Sequence, residues 1–244
     1  MNKQKFAVFD IDGTFFRWQL FHEIVLELIE NGDIPAVHRT TIDQKMREWK
    51  ERTHHYSWRE YETAVVKTFI NNLKGLPVAS IASATESVLK RSGNRIYTYT
   101  RDLMMTLKAE GYVLIALSGS QDEVVQQFAK QWKFDIAMGQ IHESKNGFYT
   151  GRLPNKVTHQ KGELLKEITA KHQLSWQDSI GVGDSGTDVS MLELVEYPIA
   201  FNPTEDLFAV AKEKGWKVVV ERKNMIYELE ESHGTYILAQ AGPR

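Results

Sequence analysis

The stretch "FAVFDIDGTFFRW", residues 6–18, joins a short apolar run to two aspartates and a Gly-Thr turn. A continuous apolar run such as Phe6 to Phe9, ended by a turn signal, is typical of a buried central strand in a parallel sheet. Asp10 and Asp12 stand where this strand should end. Residues i and i+2 of an extended chain share a face, so the two carboxylates are about 6.6 Å apart along the chain. Two like charges placed so closely require a cation or a proton between them.

The overall composition indicates an ordinary globular protein of 244 residues, 42% hydrophobic and 25% charged. A formal net charge of -2 gives no electrostatic reason to expect nucleic acid or an anionic membrane as a partner. The absence of cysteine excludes a disulfide framework, a thiolate nucleophile and cysteine-ligated zinc. Since no apolar stretch of signal-peptide length precedes the first strand, we expect a cytoplasmic protein. The sequence leaves the oligomeric state unknown.

Two kinds of periodicity divide the chain. Between the first strand and Arg95, apolar residues recur at helical spacing and predict four helices, with the sequences "QLFHEIVLELIENG", "TTIDQKMREWKER", "SWREYETAVVKTFINNL" and "PVASIASATESVLKRSG". Beyond Arg95, helices are predicted at 98–109, 121–132, 160–172, 187–195 and 205–214, alternating with strands at 112–117, 134–138, 179–183, 197–201 and 216–220. A hairpin turning at Asn146-Gly147 is predicted within 141–153, and the residues from Ser232 are expected to form a helix or a loose tail.

This alternation predicts an α/β fold with a doubly wound parallel sheet and helices on both faces. We expect residues 1–16 and 96–244 to form this core, and residues 17–95 to form a helical domain inserted after the first strand. Ligands of open α/β sheets bind outside the carboxyl ends of the strands. The inserted helices should therefore overhang the binding site.

Polar residues follow three of the predicted strands. Asp10 and Asp12 follow the first, Ser118-Gly119-Ser120 follow "VLIAL", and Asp184 to Asp188 follow "SIGVG". Lys161 stands near the start of the helix before that last strand. Carboxylates are the ligands that Mg²⁺ prefers, and hydroxyl, backbone N–H and ammonium groups hold phosphate oxygens. The combination predicts a phosphoryl-transfer site. The serines could simply cap the following helix, and one serine can serve both roles.

With these motifs in place, the sequence resembles the haloacid dehalogenase (HAD) superfamily of aspartate-based phosphatases. "DIDGT" is similar to its first motif, "ALSGS" to its second, Lys161 to its third and "GVGDSGTD" to its fourth. The order and spacing agree over nearly the whole chain, and the similarity is greatest to the phosphoserine-phosphatase-like branch. The resemblance implies a Rossmann-like, HAD-like core with an inserted all-helical cap domain.

The resemblance also implies the roles of individual residues. Asp10 would attack phosphorus and form an aspartyl-phosphate, and Asp12 would protonate the leaving alcohol and then deprotonate water. Ser118, Gly119 and Lys161 would bind the phosphoryl group. The implied cofactor is Mg²⁺, with a ligand set comprising Asp10, the backbone carbonyl of Asp12, Asp184 and, through water, Asp188.

Two departures from the family pattern concern the substrate. Phosphoserine phosphatases carry a glutamate and an arginine in the cap for the amino and carboxylate groups of the substrate, and the corresponding positions here are Gln19 and Phe69, with Lys67 the nearest basic residue. We therefore expect a small organic phosphate monoester other than phosphoserine, with Gln19 and Phe69 in its binding pocket.

Other functions share part of this pattern. A phosphotransferase would use the same aspartyl-phosphate and every motif. A phospho-accepting signalling module would also phosphorylate an aspartate, but such domains are about half as long and lack a helical insert. "GVGDSG" fits the G-x-G-x-x-G dinucleotide fingerprint, yet Asp184 would stand inside the pyrophosphate cradle. A calcium loop starting at Asp10 would need glycine at Phe15.

Overall fold

The computed structural model of the chain describes residues 3–154 and 157–243, without the side chains of Thr158 and His159. The strands are β1 (Lys5–Phe9), β2 (Val113–Gln121), β3 (Ile136–Gln140), β4 (Ser144–Lys145), β5 (Phe148–Tyr149), β6 (Ser175–Gly183), β7 (Tyr197–Phe201), β8 (Lys217–Arg222), β9 (Met225–Ser232) and β10 (Thr235–Pro243). The helices are α1 (Leu20–Glu30), α2 (Val37–Lys50), α3 (Ser57–Leu73), α4 (Val78–Ser92), α5 (Thr98–Ala109), α6 (Asp122–Trp132), α7 (Val157–Lys171), α8 (Val189–Leu192) and α9 (Glu205–Lys214).

Eight strands form the main sheet, in the order β10-β9-β8-β7-β6-β1-β2-β3. The opening strand β1 pairs in parallel with β2 on one side and with β6 on the other. All four residues from Phe6 to Phe9 are fully buried, as expected of a parallel strand covered on both faces. The strand order reverses at β1, which makes its carboxyl end the topological switch point where ligands of such sheets bind. The predicted doubly wound α/β fold is confirmed.

The four helices α1 to α4 occupy the interval between β1 and α5, as the helical periodicity predicts. Helix α1 buries Leu20, Ile24 and Leu28 on one stripe, and these side chains join a hydrophobic core shared with one face of the sheet. The two segments that connect this helical block to the sheet lie side by side, because Arg17 N–H donates to the Arg95 carbonyl at 2.7 Å. The division into a cap at 17–95 and a core stays a prediction.

The expectation of a helix or loose tail from Ser232 is wrong. Strands β9 and β10 form an antiparallel hairpin that extends the sheet beyond β8. Its two turn residues, His233 and Gly234, have φ of +52° and +80°, which is the type I′ geometry that matches the twist of a two-residue hairpin. Arg244 lies outside the described residues.

Smaller differences concern helix bounds near the strand ends. The helix predicted at 187–195 is a 3₁₀ turn at Gly186–Asp188 followed by the single turn of α8. Helix α7 begins before the predicted start and is kinked at Gln160, next to Lys161. No helix in the described ranges is long and apolar enough to span a membrane.

Candidate active site

The Lys161 side chain pairs with acidic residues that follow two neighbouring strands, β1 and β6, at the switch point. Asp10 directly follows β1, and its backbone N–H donates to the Val182 carbonyl of β6 at 2.9 Å. The Lys161 ammonium lies 2.6 Å from Oδ1 of Asp10 and 2.5 Å from Oδ1 of Asp188. All three side chains are at least 94% buried. A buried ammonium shared by two buried carboxylates is a preorganised charge site, not a solvated surface pair.

Burial and neighbouring charge act in opposite directions on the pKa values of this pair. Burial raises the pKa of Asp10 above its ordinary value, and the charge of Lys161 opposes that rise. Burial disfavours the Lys161 ammonium, but the charges of Asp10 and Asp188 outweigh it and raise the pKa of Lys161. Lys161 is therefore held as a cation, and it is the charge that favours an ionised Asp10.

Asp12 is held by donors from three places. The backbone N–H of Leu20, the first residue of α1, donates to Oδ1 of Asp12. The hydroxyl groups of Ser118 and Ser120 donate to Oδ2 at 2.8 Å and 2.6 Å. The side chain of Asp12 thus links the first helix of the inserted block to the end of β2. Burial raises the pKa of Asp12, and the bonds from Ser120, Ser118 and Leu20 oppose that rise.

The loop after β6 is organised by Asp188. Its Oδ2 accepts hydrogen bonds from the backbone N–H groups of Asp184 and Ser185 at 3.1 Å and 3.0 Å, completing a capping box with Ser185. Gly183 permits this close approach, because a Cβ on that residue would lie 2.5 Å from the Cβ of Asp188. Both oxygens of the fully buried Asp188 are therefore committed to groups of the protein.

Asp184 faces the turn after β1. A Cβ on Gly13 would lie 2.1 Å from Oδ2 of Asp184 and 3.3 Å from Nε2 of Gln19. Gly13 also has a φ of +86°, so the turn requires glycine for both its conformation and its space. The side chains of Asp184 and Gln19 therefore both lie next to Gly13, near Asp10 and Asp12 at the carboxyl end of β1.

The acidic groups at this point fit a metal ion. Carboxylate oxygens of Asp10, Asp184 and Asp188 lie within 4.8 Å of one another. Burial raises the pKa of Asp184 well above its ordinary value, with the charges of Asp10 and Asp188 adding to the effect. Among the described residues, no side-chain or backbone donor bonds the Asp184 carboxylate, and Lys161 alone bonds that of Asp10. These two carboxylates are the ones left to hold a cation.

A second acidic cluster, formed by Glu48, His54 and Glu60 on the helical block, is different. The Lys45 ammonium lies 2.8 Å from Glu48 and 2.7 Å from Glu60. Since a lysine already neutralises these partly exposed groups, the cluster is a surface ion-pair network.

The remaining predicted site residues differ in their surroundings. Gly119 lies between the two serines at the end of β2, and Gln19 precedes α1 at the turn near Gly13. Phe69 is fully buried in α3, with its ring centroid 5.3 Å from those of Phe21 and His142. The predicted contact of Phe69 with substrate stays a prediction.

Two contacts at the site were not expected from the sequence. The Leu20 N–H depends on where α1 begins, which sequence periodicity locates only to within a few residues. The sequence predicts phosphate binding or a helix cap for the serines after β2, whereas the Ser120 hydroxyl bonds Asp12. The S-x-S spacing at the end of a strand could have predicted this contact, since alternate residues of a strand share a face and Ser120 therefore lies on the same side as Ser118.

Comparison with known proteins agrees with this fold. The family of haloacid dehalogenase-like hydrolases matches residues 7–193, and the chain belongs to this family. Its curated relatives include the phosphoserine phosphatase of Methanocaldococcus jannaschii, 24% identical over 82% of this chain and 86% of that protein. The phosphoserine phosphatase of Archaeoglobus fulgidus is 27% identical over 86% of this chain, which spans only 56% of that protein. These similarities confirm the phosphoserine-phosphatase-like branch.

Solved structures agree in fold. A protein of unknown function from Bordetella pertussis superimposes with a TM-score of 0.70 at 22% identity, covering 89% of this chain and 98% of that one. A phosphoserine phosphatase carrying an analogue of its phospho-aspartyl intermediate superimposes with a TM-score of 0.61 at 24% identity, covering 91% of this chain and 95% of that one.

Proposed function

We propose that this protein is a Mg²⁺-dependent phosphatase that hydrolyses a small organic phosphate monoester through an aspartyl-phosphate on Asp10. The observation that carries the proposal is the buried Asp10–Lys161 pair, 2.6 Å apart, two residues from a second carboxylate. This arrangement offers a nucleophile, a fixed positive charge and an acid-base group at one point. The named activity of the phosphoserine phosphatase relatives supports the same reaction class.

The reaction takes two displacements. In the first, a carboxylate oxygen of Asp10 bonds to phosphorus while the bond to the ester oxygen breaks, and the leaving alcohol receives the proton of Asp12. In the second, Asp12 takes a proton from water, and the water oxygen bonds to phosphorus. The bond between phosphorus and the Asp10 oxygen breaks, which releases inorganic phosphate and restores the carboxylate. Lys161 offsets negative charge on the phosphoryl oxygens in both steps.

The metal would be held by the carboxylates of Asp10 and Asp184 with the backbone carbonyl of Asp12, while Asp188 orients the loop around them. When bound, Mg²⁺ supplies positive charge that draws the phosphate dianion to a nucleophile that is itself an anion. Among the described residues, four acids and one ammonium meet at the site, so a net negative charge is left that a divalent cation can offset.

The preferred substrate is proposed to be an ester other than phosphoserine. Gln19 lies near the reacting groups but carries no charge to pair with a substrate amine. Phe69, at the position of the expected carboxylate-binding arginine, is an apolar ring packed on Phe21. The cap therefore lacks the two ionic contacts that would select an amino acid, at the positions where the family pattern has them.

The test is phosphate release from a panel of monoesters that includes phosphoserine, with Mg²⁺ and with EDTA, for the native chain and Asp10→Asn. Asp43→Asn is the matched control, because that exposed carboxylate pairs only with Arg39 among the described residues. We expect metal-dependent release that Asp10→Asn abolishes and Asp43→Asn keeps, with phosphoserine not preferred. Transfer to an added alcohol in place of release would favour the phosphotransferase, and long-lived phosphorylation without turnover would favour the signalling module.

A further inference from the structure

We infer that Ser120 is a positioning residue for the acid-base chemistry of Asp12, an inference that rests on the proposed function. Its hydroxyl donates to Oδ2 of Asp12 at 2.6 Å, and Ser120 is only 1% exposed. Ser118 donates to the same oxygen at 2.8 Å. Ser120 therefore acts through Asp12, without touching the reacting atoms.

Before a phosphate is bound, the hydrogen bonds leave one acceptor position on the Asp12 carboxylate free. A carboxylate offers two acceptor positions on each oxygen. The hydroxyls of Ser118 and Ser120 fill both positions on Oδ2, and the Leu20 N–H fills one on Oδ1. Within residues 3–154 and 157–243 no further donor reaches Asp12, so the free position is on Oδ1. The proton that Asp12 gives to the leaving alcohol is carried on Oδ1, and the Ser120 hydroxyl on Oδ2 fixes where Oδ1 points.

The two serines have different tasks once a phosphate is bound. A hydroxyl has a single proton to donate. If Ser118 directs its proton to a phosphoryl oxygen, as its position in the family motif implies, Ser120 is the remaining hydroxyl on Oδ2 of Asp12. The backbone N–H of Ser120 also donates to Ser118 Oγ at 3.0 Å, which keeps the two side chains in register.

A purely structural task for Ser120 is not supported by its contacts. Helix α6 begins at Asp122 after Gln121, and in this described segment no side chain caps its N-terminus. The Ser120 hydroxyl bonds only Asp12 among the described residues. Its loss would therefore remove one of the donors that orient the Asp12 carboxylate while leaving the hydrogen bonds within α6 and β2 in place.

The test compares kcat/KM for two esters of similar size, phenyl phosphate and nitrophenyl phosphate. The phenolate leaving group needs a proton more than nitrophenolate does, because it is the stronger base. For Ser120→Ala we expect kcat/KM to fall about tenfold or more with phenyl phosphate and about threefold or less with nitrophenyl phosphate. Ser120→Thr, which keeps the hydroxyl, should recover most of the loss.

The control is Ser179→Ala, a fully buried serine whose hydroxyl bonds the Trp176 carbonyl away from the site. It should affect both esters equally. An equal loss with both esters for Ser120→Ala, or no loss, would overturn the inference although the native chain is an active phosphatase. A native chain inactive on both esters would instead overturn the proposed function and this role with it. If Ser120→Ala does not fold, Ser120→Cys, a weaker donor of similar size, gives the same comparison.

Discussion

The Asp184 carboxylate lies against Gly13, in space that any larger residue would fill: a Cβ on Gly13 would lie 2.1 Å from Oδ2 of Asp184. The turn after the first strand and the loop after β6 are therefore built against each other. Since Asp184 is one of the two carboxylates free to hold a cation, this contact connects the conformation of a turn to the chemistry of the site.

Gly13→Ala should abolish activity. The substitution adds a clash with Asp184 to the strain of a side chain at a φ of +86°, and the strain alone costs about 1 kcal/mol. The matched control is Gly111→Ala, with a φ of +83° but no described atom within 4 Å of the added Cβ. Urea unfolding should report the strain cost alone for Gly111→Ala and a larger loss of stability for Gly13→Ala, and phosphatase assays should find Gly111→Ala active. Equal activity of the two variants would contradict the role of the contact.

Lys161→Met should lower both stability and turnover. Within the described residues, Lys161 is the only cation that pairs with Asp10 and Asp188, and removing it should cost about 3–5 kcal/mol of unfolding free energy. The loss of charge on the phosphoryl oxygens should lower kcat by about 100-fold or more. Lys166→Met on the exposed side of α7 is the control, with an unfolding free energy within about 0.5 kcal/mol of the native chain. A stable Lys161→Met chain would show that the pair is not buried as described.

His22 should make stability depend on pH. It is buried in α1 against Tyr61, 5.0 Å between ring centroids, and burial lowers the pKa of His22 from 6.5 to about 3. Between these values the unfolded chain binds a proton that the folded chain does not, so the unfolding free energy falls as pH falls. This contribution should amount to about 2 kcal/mol between pH 7 and pH 5.

The measurement is urea unfolding of the native chain and His22→Phe at pH 7 and pH 5. The native chain should lose more stability than the variant on acidification, because other groups titrate alike in both. His172→Phe, a change of an exposed histidine, should follow the native chain. Parallel pH profiles for native and His22→Phe would contradict a neutral, buried His22.

Asp184→Asn should separate metal binding from folding. Without metal, the variant should be more stable than the native chain because one of several buried like charges is removed. Mg²⁺ at 100 times its dissociation constant should stabilise the native chain by about 2.7 kcal/mol and leave the variant unchanged. Glu60→Gln, in the acidic cluster already neutralised by Lys45, should keep the native response. A full Mg²⁺ response in Asp184→Asn would remove that carboxylate from the metal site.

The fold and the positions of the main site residues could be predicted because they follow from topology. A buried parallel strand is a continuous apolar run, so β1 can be identified from the sequence. The carboxyl ends of neighbouring parallel strands meet at one edge of the sheet. That geometry alone brings Asp10, Ser118 and Asp184 together.

What could not be predicted depends on local conformation. Strands β9 and β10 were missed because their turn, His233-Gly234, lacks the usual Asn-Gly or Asp-Gly signal, although both residues adopt positive φ. The direction of the Ser120 hydroxyl and the first N–H of α1 depend on rotamer and helix start, which periodicity does not determine. Together with the Ser118 hydroxyl, these two groups hold Asp12.

The central claim, that Asp10 carries the phosphoryl group, is tested most directly by trapping it. The chain is mixed with nitrophenyl phosphate and Mg²⁺, quenched in acid within one turnover, and mapped by peptide mass spectrometry. We predict a hydroxylamine-labile phosphoryl group on Asp10, absent from Asp10→Asn and accumulating in Asp12→Asn, which lacks the base for the second step. A burst of nitrophenol with no phosphoryl group on Asp10, or with the group on another residue, would contradict it.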